Sequence, residues 1–423
     1  MDRLRRRETA VSIVDLVDAE HATVGGKASP LAELARAGFN VPTGFVVPAT
    51  TYQAAATALG LAELSIDRAE EARSRILRSR LPDGVVDDVS RALKAVTEAA
   101  STDYVAVRSS SIAEDSAYAS AAGQHDSVLA VRGTEQVCQA ILQCWASLWT
   151  ERAVAYKARQ ASQAAVGMAV IVQRFVDASV SGVMFTGATT VVEATWGIGE
   201  RLVAGHITPD SWRITDSGIE RRPGSKSERT DRHDGQLITR HTTSAEQTEL
   251  CLTDHDILRL RALGEEVSTT LGGPRDVEWA IDDGTIWVLQ ARPVTALVPG
   301  SSAPGPTTAG SVTISGEPAS PGVASGPVRL VRGPADFPKV KRGDVLVCRH
   351  TDPAWTPLFT IASAVVTETG GVLSHAAIVA REVGIPAVLA VPRATEVLTP
   401  PSVVTVNGNT GHICVKQSTR SLS

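Results

Sequence analysis

The stretch from Ala364 to Val391 constrains the fold more than any other part of this chain. Ala364-Val-Val-Thr367 is a short apolar, β-branched run that predicts a buried strand, and Ala387–Val391 predicts a second. Between them Gly370 and Gly371 open a turn and Ser374 stands at an N-cap position. Ala376, Val379 and Val383 fall on one helical face, and Gly384 sits where a helix stops. The result is a strand–glycine turn–helix–strand unit whose helix N-terminus is expected to point at solvent. Free backbone N–H groups and the helix dipole both favour anions at such a position. His375 opens the helix, and the same dipole disfavours imidazolium, so the ring is expected to be neutral and nucleophilic near neutral pH.

A lone histidine is ordinarily a surface or satisfied core residue, and that default suits others in the chain such as His21 and His255. His375 differs through its surroundings, because a nucleophilic imidazole in an anion cradle is what a phosphohistidine intermediate requires. Gly370-Gly371, Ser374, His375-Ala-Ala-Ile-Val-Ala-Arg-Glu382 and Gly384-Ile-Pro-Ala387 closely resemble the phosphohistidine signature of the phosphoenolpyruvate-utilising enzymes. That family includes phosphoenolpyruvate synthase-, pyruvate phosphate dikinase- and rifampicin phosphotransferase-like proteins. Ser374 stands where threonine is common, which keeps the hydroxyl. The resemblance implies that His375 is catalytic and that Gly370, Gly371 and Ser374 form the loop presenting it.

At 423 residues the chain has room for two or three domains. The formal net charge of −5 gives no electrostatic reason to bind nucleic acid or an anionic membrane. No apolar run approaches membrane-spanning length, and the arginine-rich start lacks the apolar segment of a signal peptide. The five cysteines are scattered and form no Cys-x-x-Cys pair, which argues against disulfides or a zinc site and fits a reducing cytoplasm. Val298-Pro-Gly-Ser-Ser-Ala-Pro-Gly-Pro-Thr-Thr-Ala-Gly-Ser311 has no periodicity and reads as a linker, with an r.m.s. span of roughly 20 Å. Ahead of it, Leu31–Ala37 reads as a helix, Tyr104–Val107 and Met168–Gln173 as strands, and Leu148–Ala165 as a long helix. Thr253 is expected to cap a further helix with Ile257, Leu260, Leu263, Val267 and Leu271 on its buried side. The class is therefore α/β and α+β.

Three segments before the linker carry candidate chemistry. Val24-Gly-Gly-Lys27 puts Lys27 after two glycines at a helix start, without Walker A spacing. Val105-Ala-Val-Arg108 brings Arg108 to the end of an apolar strand, and the small residues Ala119–Gly123 beyond it could fold over a polyphosphate. Asp276–Pro293 reads as a hairpin with two possible registers. A two-residue Asp283-Gly284 turn would pair Ile281 with Ile286 and put Glu278 and Gln290 on opposite faces. A three-residue turn would pair Ile281 with Thr285 and place Glu278, Gln290 and Arg292 on one face, where Glu278 and Gln290 could share a hard cation. The three-residue register is the one expected, because the other strands a carboxylate on the wrong side.

These segments, with Met168–Val176, Ser181–Thr186, Glu193–Glu200 and Thr208–Asp210, also resemble the same family. The resemblance implies an ATP-grasp-type nucleotide-binding domain over 1–297, a flexible linker over 298–313 and a swivelling α/β phosphohistidine domain over 314–418. It further implies that Lys27, Arg108, Gly123 and Arg292 bind ATP phosphates, that Gln173 and the backbone near Val176 line the adenine pocket, and that Glu278 and Gln290 hold Mg2+. Ala121 departs from the phenylalanine usual in the covering loop. By resemblance, ATP loads the histidine and the phosphoryl group moves to an acceptor, with AMP and phosphate released. Larger members carry an acceptor domain of their own, and none is legible here. Three readings follow: a compact enzyme with a small-molecule acceptor, ranked first; a subunit of a split enzyme with a separate acceptor polypeptide; or a phosphocarrier acting on a protein partner.

Overall fold

A computed structural model of the chain describes residues 13–61, 64, 68–100, 102–111, 127–150, 153–154, 167–294 and 312–416. The covering loop with Ala121 and Gly123, most of the linker and most of the helix expected over 148–165 lie outside them. The chain folds into two compact units that interleave in sequence. The first comprises 1–179, 231–238 and 263–293; the second comprises 180–230, 239–262 and 294–423.

In the first unit, β1 (Val14–Asp15), β2 (Gly44–Val47), β3 (Tyr104–Ser111), β4 (Ser127–Arg132) and β5 (Met168–Arg174) form one sheet in the order β1-β2-β5-β3-β4. Every neighbouring pair in it is antiparallel. Alternation decides which side chains enter the core. Phe45, Val47, Val105, Val107, Val170 and Val172 turn to one face and pack under the helices Ala69–Arg78, Asp83–Glu98 and Thr134–Ala146. Each such side chain contributes about 1.5–3 kcal/mol by leaving water.

β12 (Arg275–Asp282) and β13 (Thr285–Pro293) form the expected hairpin of this unit, with a different turn. Asp282 pairs with Thr285 and Ile281 with Ile286, so the loop has two residues. Asp283 (φ 46°) and Gly284 (φ 72°) both adopt the left-handed conformation that such a loop requires. The register then shifts by a β-bulge between Trp279, opposite Val288, and Glu278, opposite Gln290. Leu289 is the extra residue. It reverses the face parity of β13 and returns Gln290 and Arg292 to the face of Glu278. The expected three-residue turn is thus replaced by a two-residue turn plus a bulge, with the same facial outcome.

In the second unit, β6 (Val180–Phe185), β7 (Thr190–Trp196), β8 (Asp210–Thr215) and β9 (Gly218–Arg222) form an antiparallel meander. The polar 215–246 region contains β9 and the separate ribbon of β10 (Glu228–His233) and β11 (Gln236–His241), much of it exposed. Thr253 caps the helix Asp254–Leu271 as expected, its hydroxyl accepting from Asp256 N at 3.2 Å. Ile257, Leu260 and Val267 on that helix are buried, while Leu263 and Leu271 are half-buried.

The remaining strands of the second unit are β14 (Val312–Ser315), β15 (Glu317–Ser320), β16 (Val323–Leu330), β17 (Val345–Cys348), β18 (Ala364–Thr367), β19 (Ala387–Leu389), β20 (Val403–Asn407) and β21 (His412–Lys416). Their sheet runs β14-β21-β20-β16-β17-β18-β19-β15, with β16 to β19 parallel. β17, β18 and β19 are buried and apolar except for Thr367 because both their faces are covered. Leu346, Cys348, Val365 and Leu389 serve one core, and Val345, Val347, Val366 and Val388 serve the other. The first core also takes in Val183, Phe185, Val191, Leu202 and Ile207. The 364–389 segment is the anticipated unit: β18, a glycine turn, the helix His375–Val383 ended by left-handed Gly384, then β19. Val383, expected on the buried face, is 36% exposed. Among the described residues no helix is long and apolar enough to cross a membrane.

Candidate active site

The helix His21–Arg36 is interrupted at Gly25, whose φ is 74°. A Cβ at that glycine would fall 2.5 Å from the Ser110 carbonyl oxygen, so the turn can approach β3 only without a side chain. Ser110 Oγ donates to Val24 O at 2.7 Å and accepts from Lys27 N at 3.2 Å and Ala28 N at 3.3 Å. The turn carrying Lys27 is thereby fastened two residues from Arg108. Val105 and Val107 enter the core, so alternation sends Arg108 to the other face of β3. Its Nη1 donates to Leu289 O at 3.3 Å and lies 3.6 Å from Glu278 Oε2.

Glu278 and Gln290 stand directly opposite each other on the hairpin. The next pair on that face is Asp276 and Arg292, joined by Arg292 Nε and Nη2 to Asp276 Oδ2 at 2.7 and 2.6 Å. The structure therefore brings Arg108, Glu278, Gln290 and Arg292 together, beside the turn of Lys27. Gln173 is buried on β5, its Nε2 donating to Pro42 O at 3.1 Å. Val176 lies just beyond the end of β5 in a small apolar cluster with Ala178, Ala280, Trp287 and Leu289.

In the second unit the first turn of the 375–383 helix is enclosed. His375 is 5% and Ser374 1% exposed, which corrects the expectation of a solvent-facing N-terminus. Ser374 occupies the N-cap position, but its hydroxyl donates to Gly371 O at 2.8 Å and caps no helical N–H. Gly370, at φ 105°, donates its N–H to Ile207 O at 3.1 Å, and Thr369 Oγ1 donates to Gly205 O at 2.8 Å. His375 Nδ1 lies 3.5 Å from Thr351 Oγ1.

Two amides of the turn just before the helix are already partnered. Glu193 on β7 accepts from Val372 N at 2.6 Å and Leu373 N at 3.1 Å. From the helix, Arg381 donates Nη2 to Val372 O and Nε to Ala319 O at 2.7 Å. A cavity of about 220 Å³ borders this contact, lined in part by Glu193, Arg213, Arg222, Glu317, Gly371 and Val372. Burial pushes the Glu193 carboxyl up to about 7, against the lowering effect of the two amides and Arg381.

Asp276, Glu193, Arg381 and Thr351 escaped the reading of the sequence as site residues. Glu193 did leave a signal: it is a lone carboxylate in the strand Thr190-Val-Val-Glu-Ala-Thr-Trp196, and a buried charge must be partnered. Among the described residues no cluster of three or more His, Cys, Asp or Glu side chains could hold a metal ion. Glu278 and Gln290 supply two oxygens, which suits an ion completing its shell with phosphate oxygens and water.

Comparison with known proteins shows the family. Residues 21–309 match the family model described as pyruvate phosphate dikinase, AMP/ATP-binding domain, and residues 340–411 match that of the PEP-utilising enzyme, mobile domain. The chain is 36% identical over 416 residues to a probable phosphoenolpyruvate synthase of Methanothermobacter thermautotrophicus, covering 92% of this chain and 60% of that protein. It is 36% identical over 418 residues to a probable phosphoenolpyruvate synthase of Archaeoglobus fulgidus, covering 92% of this chain and 56% of that one. The phosphoenolpyruvate synthase of Pyrococcus furiosus is 31% identical over 459 residues, again with 92% and 56% covered. The chain thus spans little more than half the length of these curated relatives. With Arg108, Glu278, Gln290 and Arg292 gathered in one unit and the histidine turn in the other, the chain belongs to the family of phosphoenolpyruvate-utilising enzymes, matching the pyruvate phosphate dikinase AMP/ATP-binding domain and then the mobile domain.

Proposed function

We propose that this chain transfers a phosphoryl group from ATP to His375 and then to a small-molecule acceptor, with AMP and phosphate released. The observation that carries this reading is the convergence of Arg108, Glu278, Gln290 and Arg292 on one hairpin face, in a chain that also presents His375 at a glycine turn. Arg108, Arg292 and Lys27 would bind the phosphates, with Gly123 in the loop over them. Val176 and its apolar neighbours would receive the adenine, and Gln173 would shape that pocket through the Pro42 carbonyl it holds. Glu278 and Gln290 would hold magnesium, which when bound neutralises charge developing on the phosphates.

On the acceptor side of the transfer, Nδ1–H of His375 donating to Thr351 Oγ1 leaves the Nε2 lone pair as nucleophile. Nε2 attacks the β-phosphorus of ATP, so that a phosphorus–nitrogen bond forms as the bond to the AMP oxygen breaks; water then cleaves the bond between the two transferred phosphates, releasing phosphate and leaving one phosphoryl group on the ring. Domain limits of 1–297 and 314–418 joined by the 298–313 linker belong to this proposal, as does a cytoplasmic location. The relatives' names favour pyruvate as the acceptor. In a second reading another polypeptide supplies the acceptor site.

ATP labelled at the β-phosphate tests the central step. Acid-labile label is expected on the wild type and absent from His375→Ala; equal labelling of both would sink the phosphohistidine. AMP formation with pyruvate alone would support the first reading of the acceptor, and dependence on a second protein would support the other.

A further inference from the structure

We propose that Glu193 is a positioning residue for His375, holding the Gly370–Leu373 turn by accepting both the Val372 and Leu373 amides. The inference rests on the reading of His375 as the phosphoryl carrier. Three observations, from three elements, support it. Glu193 stands in the middle of β7, paired with Val183 on one side and Ser211 on the other, so its backbone is fixed by the meander. Its two side-chain oxygens take two successive amides in a buried setting, where leaving either N–H unpaired would be costly. Arg381 takes the carbonyl of Val372, so this one peptide unit is held on both sides.

A further observation is steric. A Cβ on Gly371 would fall 2.2 Å from Glu193 Oε1 and 2.4 Å from Oε2. The φ of Gly371 is not among the positive ones, so its backbone suits any residue, and it is the carboxylate that requires a glycine there. Gly370, by contrast, has φ 105° and is required by conformation. The two glycines of the signature thus have separate reasons. The charged groups acting on Glu193 are Arg381, which favours the carboxylate, and Glu317, which opposes it and is itself paired with Arg222 at 2.8 Å.

The contact can be broken from either side. Glu193→Ala removes the carboxylate, and Gly371→Ala leaves it in the chain but blocks its place. In both, hydrogen exchange at Val372 and Leu373 is expected to rise at least about tenfold, the factor equivalent to 1.4 kcal/mol. Labelling of His375 from ATP is expected to slow while KM for ATP is unchanged. Acetate should restore labelling in Glu193→Ala, entering through the adjoining cavity, but not in Gly371→Ala, where the methyl group fills the same space. A merely structural role would give no such asymmetry. Unchanged exchange at these two amides in either folded variant would overturn the proposal. If Glu193→Ala does not fold, Gly371→Ala decides by the same exchange measurement. Absence of label on wild-type protein would remove the carrier reading of His375, and the exchange comparison would still decide whether Glu193 holds the turn.

Discussion

Asp276 shows how one carboxylate acquires a task from its neighbours. It is 4% exposed and binds Arg292 through a single oxygen, Oδ2, which takes both Nε and Nη2. In the proposed nucleotide site, a guanidinium held this way would lose rotamer freedom before a phosphate arrives, so less would be lost on binding. Asp276→Asn keeps the shape but weakens the hold, and should raise KM for ATP by about tenfold, a change equivalent to 1.4 kcal/mol. Steady-state AMP formation measures it, and an unaltered KM would place Arg292 outside the nucleotide site. Arg292 and Glu278 were legible as candidates because their chemistry suits phosphate and magnesium. Asp276 was not, since an acid at a strand start has many ordinary partners and only the pairing of β12 with β13 selects Arg292.

At the level of elements, the hairpin carries the lesson. Counting from a two-residue turn in a regular ladder puts Glu278 and Gln290 on opposite faces, and the sequence offers a three-residue turn as the remedy. The protein instead uses the tight turn and corrects the parity with the extra residue Leu289. A bulge leaves little mark in sequence, because the inserted residue is an ordinary leucine that continues the apolar run. The turn itself is testable. Gly284 has φ 72° and nothing within 4 Å of an added Cβ, so Gly284→Ala meets a backbone penalty alone. It should cost roughly 1–2 kcal/mol in denaturant unfolding. A cost near zero would mean that the turn is not held in the I′ conformation. The 375–383 helix was legible with its boundaries, since Ser374 and Gly384 mark both ends.

For the whole molecule, pH reports on how completely the second unit encloses its carboxylate. Glu193 is raised from 4.5 to about 7, mainly by burial, so between those values the folded chain binds more protons than the unfolded one. Stability from this residue therefore falls as pH rises through that window, by up to about 1.4 kcal/mol per unit, and is level above it. His206 acts in the opposite direction. Burial first, then His350 and Arg201, lower it from 6.5 to about 4, so its contribution is lost as pH falls through that range. Both proteins share His206 in a comparison of wild type with Glu193→Gln, so the difference between their unfolding free energies isolates Glu193. That difference should shift against the wild type from pH 4.5 to about 7 and then stay constant. A flat difference would show that the carboxylate titrates as if exposed. Taken alone, the sequence determined the strand–turn–helix–strand unit, the histidine that opens its helix and the candidate residue types that meet on the β12–β13 hairpin. These follow from local rules: side-chain periodicity, glycine conformation, capping and the charge a ligand demands. Tertiary structure decided which carboxylate fills the amides beside His375, which acid holds Arg292 and which register joins Glu278 to Gln290. Each of these depends on strands distant in sequence meeting at one register, and burial then leaves a charged group only the partners that geometry brings within reach.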